Sequence, residues 1–126
     1  MKTLTTVSAA IELGAGLALA SFPSALVKLL LGVPLDAPVA VLLGRLAGAA
    51  LLALGIACWL ARADAASRAA RGVVAAMLIY NLSAVAVFLF AGFGPKLVGL
   101  ALWPAIILHA VMAGWCLVSL RRGQPS

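Results

Sequence analysis

Four long apolar runs divide the chain: Val7 to Leu31, Val39 to Ala61, Val73 to Ala91 and Leu97 to Leu120. Each covers the roughly 30 Å hydrocarbon core of a bilayer, which takes about 20 helical residues. The pattern predicts a single all-α domain, an integral membrane antiparallel four-helix bundle, with spans at 4–22, 39–61, 72–91 and 97–120. Pro23 removes a helical donor and clashes with the preceding turn. One helix of 28 residues through Leu31 would be about 42 Å long, more than the membrane core needs. Residues 24–31 are therefore expected as a short helix at the outer interface, with Lys28 toward the headgroups. Gly32 to Pro38 and Gly92 to Pro95 read as turns, because glycine and proline prevent helix continuation. Arg121 and Arg122 stop the last span, and residues 123–126 are expected to fray.

Composition sharpens this picture. Hydrophobic residues make up 66% of the 126 residues and charged residues 10%, with a mean hydropathy of +1.23. A soluble domain carries about a quarter charged residues. A net charge of +6 and a pI near 10.4 would suit nucleic acid, but the basic residues form no groove-sized patch, which excludes that partner. Lys2, Arg62, Arg68, Arg71, Arg121 and Arg122 instead flank the apolar runs at the N-terminus, the second connection and the C-terminus. The first connection has no cation and the third only Lys96. This alternation predicts both termini on the cytoplasmic side of a cell inner membrane. Trp59 and Trp115 fall near the inner interface and Trp103 toward the outer one, where amphipathic rings are favoured. Lys2, an apolar run and Ala18-Leu19-Ala20 before Ser21 also imitate a cleaved leader, whereas Glu12 inside the run favours a retained span. Cys58 and Cys116 form neither a C-x-x-C pair nor a metal-ligand spacing, and read as packing residues.

Small residues recur inside the spans. Gly44 and Gly48 form G-x-x-x-G, Gly55 follows on the same face, and Ala110 and Gly114 repeat the spacing in the fourth span. Lipid offers no hydrophobic drive for helix association, so small residues that let backbones approach supply packing energy. These five positions are expected to pack helices, either within one tight bundle or across a homodimer or membrane-protein partner.

Ionisable side chains within spans are costly, by roughly 2.5–3.5 kcal/mol on translocon scales, and are candidate functional groups for that reason. The spans carry Glu12, Arg45 and His109. At 1.5 Å per residue, Glu12 and His109 both come out about 12 Å above the inner boundary, with Tyr80 and Asn81 within a few ångströms of them. Arg45 lies higher, about 10 Å below the outer surface. Ser8, Glu12 and Gly16 share one helical stripe, as do Ala105, His109, Ala113 and Cys116. Glu12, Arg45, Tyr80, Asn81 and His109 are thus expected to face inward together. They would serve either as a ligand or proton site or as polar glue between helices. No nucleophile elbow, phosphate loop, zinc motif or redox cysteine pair is present, so no catalytic residue, metal or cofactor is assigned.

Gly14-x-Gly16, Phe22-Pro23, Leu29 to Gly32 and Arg45-x-x-Gly48-x-x-Leu51-x-x-x-Gly55 resemble the first two spans of DoxX-like small bacterial membrane proteins. The resemblance covers about half the chain and implies a four-span fold, with Arg45 at the family's second-span arginine. It also implies a subunit of a quinone-linked oxidoreductase as one role. The residues themselves favour a non-catalytic accessory subunit that binds a membrane partner, lipid or quinone. A small proton-coupled transporter using Glu12 and His109 is the alternative.

Overall fold

A computed structural model describes residues 1–122; the expected fraying of 123–126 lies outside them. Five α-helices follow one another: α1 (Lys2–Ser21), α2 (Pro23–Leu31), α3 (Pro38–Ala61), α4 (Arg68–Phe93) and α5 (Leu102–Arg122). A single 3-10 turn, Arg62–Asp64, extends α3. Four of the helices are long and apolar enough to cross a membrane.

Several boundaries differ from the sequence reading; α4 runs on through Gly92 and Phe93, which were expected in a turn, and three others have a clear local reason. Pro23 breaks the first run as expected, yet sits in the first turn of α2, where its missing N–H costs nothing. Ser67 caps α4 by accepting from the Ala70 N–H at 3.1 Å, so that helix begins four residues before 72. The last helix begins at Leu102 rather than 97, because residues 97–101 bond elsewhere. The Gly99 N–H donates to the Leu30 carbonyl and the Ala101 N–H to the Leu29 carbonyl, both at 2.9 Å.

Those bonds explain how α2 stays in place. A helix leaves its last four carbonyls without intrahelical partners. In α2, the Gly32 N–H takes the Lys28 carbonyl, and Gly99 and Ala101 take the next two. Gly32 closes the helix at φ +80°, a left-handed conformation that glycine adopts without strain. A side chain at Gly99 would sit 2.6 Å from the Leu30 carbonyl carbon and 2.7 Å from the Gly32 nitrogen. Ser24 Oγ both donates to the Leu35 carbonyl and accepts from the Leu35 N–H, fastening the 32–37 loop to the same helix.

The long helices associate as two closely packed pairs, α1 with α3 and α4 with α5, with sparser contact between the pairs. In the first pair a methyl at Gly16 would lie 2.7 Å from the Leu52 nitrogen and 2.8 Å from the Gly48 carbonyl oxygen. One at Gly55 would meet Leu13 Cγ at 2.8 Å. Rising numbers on α1 thus meet falling numbers on α3. The second pair runs the same way: Arg71 donates to the Leu120 carbonyl, and the Phe93 and Trp103 rings meet edge to face at 5.7 Å.

Of the five small residues expected to pack helices, the three on α3 do so: Gly48 and Gly55 against α1, and Gly44 against Pro23 and Leu35. Ala110 and Gly114 pack no helix of this chain. Both are exposed, and a Cβ at Gly114 would find nothing within 4 Å among the described residues.

Core side chains gather toward the end that carries the chain's N-terminus. Leu4, Ala9, Cys58, Val74, Met77, Met112 and Cys116 form one buried cluster drawn from all four long helices. Lys2, Ala65, Trp115 and Arg122 line a depression at this same end, so both helix termini and the arginine-rich connection lie together. Toward the opposite end the two pairs part, and α2 lies against the gap.

Candidate functional site

The gap is a cavity of about 550 Å³ between the helix pairs, with α2 supplying part of its wall through Leu26 and Leu30. Its lining is aliphatic or aromatic carbon except at Glu12, Tyr80 and His109. Ligand cavities of about 300–1,000 Å³ with a few convergent polar groups are the usual form of small-molecule sites.

Each polar group arrives from the face that the one-turn stripes assign to it. On α1, Ser8, Glu12 and Gly16 are all buried, and Gly16 brings α3 close enough to bury its neighbours. Glu12 is only 2% exposed. Tyr80 of α4 lines the same wall across the junction between the pairs. Glu12 is therefore a buried carboxyl group inside largely apolar surroundings, with a neutral phenol on the same wall.

His109 comes from α5 and is oriented by Asn81 of α4. The Asn81 side chain is 1% exposed. Its Nδ2 donates to the Met77 carbonyl one turn earlier at 2.7 Å, which directs Oδ1 toward the histidine. Oδ1 lies 2.8 Å from His109 Nδ1. An amide oxygen only accepts, so Nδ1 carries the hydrogen, and in the neutral ring Nε2 is left as an acceptor. The Tyr80 ring meets the imidazole edge-on at 5.5 Å, and Phe88 meets it at 5.7 Å. The imidazole is thus held by one hydrogen bond and two aromatic neighbours.

Arg45 departs from the expected cluster. It is exposed and takes no part in the cavity wall. Its neighbour two residues on, Ala47, lines the cavity, and two residues at 100° each turn a helix to nearly its opposite side. Gly48 must face Gly16 and Ala20, and that close contact sets the rotation of α3 and carries Arg45 away from Glu12. The four remaining residues are brought together: Glu12, Tyr80 and His109 at the wall, and Asn81 behind the histidine.

Two contributors escaped the sequence reading. Phe88 lies seven residues after Asn81, two helical turns along the same face, and that spacing was its available signal. The α2 wall had none, because its position depends on the bonds to Gly99 and Ala101. Among the described residues no group of three or more histidine, cysteine or acidic side chains could hold a metal ion. Cys58 and Cys116 are both free and fully buried in the core. No protein-family profile, curated protein or solved structure matches this chain.

Proposed function

We propose that this chain is an integral membrane protein that holds an apolar ligand between its two helix pairs, acting as a non-catalytic accessory subunit. The observation that carries this reading is the cavity itself: carbon-lined, of ligand size, and furnished with three polar side chains at one level. The reading places the chain in the inner membrane as an antiparallel four-helix bundle, and its exposed side chains agree. Leu46, Leu60, Phe90, Phe93 and Ile107 are all more than half exposed, a surface that suits lipid. The grouping of Lys2, Arg71, Arg121 and Arg122 with the 62–67 connection favours a cytoplasmic position for that end. A DoxX-like origin is compatible with the four spans and belongs to the same proposal.

Two measurements test it. Reporter fusions at Asp36 and Ala66 are expected on opposite sides of the membrane, with Ala66 cytoplasmic; the same side for both would refute the topology. Purification in mild detergent followed by native mass spectrometry is expected to recover a bound lipid or quinone. Ala105→Phe, which fills the cavity from α5, should lower that occupancy at least tenfold while the protein remains folded. An empty wild-type protein, or unchanged occupancy in the variant, would overturn the ligand reading.

A proton-coupled carrier is the second reading, favoured by one observation: Glu12 and His109 line the same cavity. Substrate-dependent proton flux in liposomes separates the two, because an accessory subunit gives none.

A further inference from the structure

Glu12 has no positive counterpart. The polar groups on its wall are a phenol and an imidazole, and no lysine or arginine lines the cavity among the described residues. Arg45, the one guanidinium within the spans, is turned to the other side of α3 and is exposed. Lys28, on α2, is exposed as well, while the α2 residues at the cavity are Leu26, Val27, Leu30 and Leu31. A carboxyl group taken out of water without a paired charge avoids the cost of its charge by keeping its proton, and a cation arriving beside it stabilises the ionised form.

The surroundings define that partner. An anionic amphiphile would gain no opposite charge at Glu12, and a neutral hydrocarbon would draw nothing from the carboxyl group. A hydrated inorganic ion needs several oxygen ligands, which this carbon-lined wall lacks. An organic cation wrapped in hydrocarbon satisfies both demands, placing its charge at Glu12 and its apolar groups against the leucines and alanines. The Tyr80 and Phe88 rings, about two turns apart on α4, both pack against His109 and line the cavity. Aromatic faces attract cations by about 0.5–2 kcal/mol, more strongly where water is excluded.

We infer that the cavity is a binding site for lipophilic organic cations, with Glu12 as the counter-charge and Tyr80 and Phe88 as the aromatic wall. This rests on the apolar-ligand reading above and narrows it to one chemical class. His109, already bonded through Nδ1 to Asn81, shapes the wall beside the carboxylate rather than neutralising it.

Tetraphenylphosphonium and an uncharged molecule of the same shape, tetraphenylsilane, are suitable probes for the full chain in zwitterionic nanodiscs, with empty nanodiscs subtracted. The cation is expected to bind at least tenfold more tightly than its neutral counterpart. Glu12→Gln should reduce that ratio at least tenfold. Because the variant could fail to fold, a second measurement uses the unmodified protein. A hydrophobic carbodiimide should label Glu12, identified by peptide mass, and the cation should protect it at concentrations at least tenfold below the neutral probe. Equal binding of the two probes would leave the cavity reading standing and overturn this one. Binding of neither probe would refute the cavity reading itself. A cation preference that survives Glu12→Gln would remove Glu12 as its cause and overturn the inference as stated.

Discussion

Replacing Gly48 with alanine is expected to destabilise the protein by about 1–3 kcal/mol, the usual range for overpacking. A leucine there should prevent recovery of folded protein. The added carbon would run into the backbone nitrogen of Ala20 and lie 2.8 Å from the Gly16 carbonyl oxygen. Neither is a flexible side-chain tip that can swing aside. The remedy is to move α1 and α3 apart, which forfeits dispersion contacts along the helix pair that contributes most of the packing. Gly114→Ala is the matched control: its Cβ meets nothing within 4 Å among the described residues, so the change should be neutral or stabilising by up to about 1 kcal/mol, since alanine favours a helix interior. Steric trapping or denaturant titration in detergent measures both. Equal effects at the two glycines would mean that the α1–α3 contact does not hold the fold together.

Asn81→Leu is expected to cost about 1–3 kcal/mol, the penalty for leaving a buried donor unsatisfied. Leucine keeps the number of side-chain heavy atoms but is larger, so the stability loss combines lost polar contacts with overpacking, and the ring tautomer isolates the polar part. It removes the acceptor 2.8 Å from His109 Nδ1 and the donor 2.7 Å from the Met77 carbonyl. The carbonyl retains its helical partner, whereas the imidazole loses its one side-chain hydrogen bond among the described residues. The chain has one histidine, so nitrogen NMR of a labelled sample reports this ring alone. The wild-type spectrum should show hydrogen on Nδ1, and the variant should populate the Nε2–H tautomer. An unchanged tautomer in the variant would show that Asn81 does not orient the ring.

These two substitutions also mark where one-dimensional reading ends. Gly48 and Gly114 stand in the same small-residue spacing, and nothing in the amino-acid order separates them. Packing of α3 onto α1 makes the first essential and leaves the second open. Arg45 and Asn81 pose the same contrast among polar residues. Both sit within an apolar run, and both were expected to face inward; one is exposed and the other is 1% exposed.

What the sequence determined by itself was whatever depends on distance along a helix axis. Each residue advances about 1.5 Å, so the apolar runs locate the four long helices, and counting places Glu12, Tyr80, Asn81 and His109 at one level. The one-turn stripes through Ser8, Glu12 and Gly16 were legible for the same reason, and all three residues are buried. Only the tertiary structure decided rotation and pairing. Close approach at Gly16 and Gly48 turned Arg45 away from the cavity. Bonds from Gly99 and Ala101 to the end of α2 converted an expected surface helix into a cavity wall and delayed α5 to Leu102. Such contacts join residues some 70 positions apart in the chain, and their energy arises from backbone groups that every residue type shares. That is why hydropathy revealed the spans and the polar level, while the cavity and the buried carboxyl group on its wall emerged from the packing of the helices.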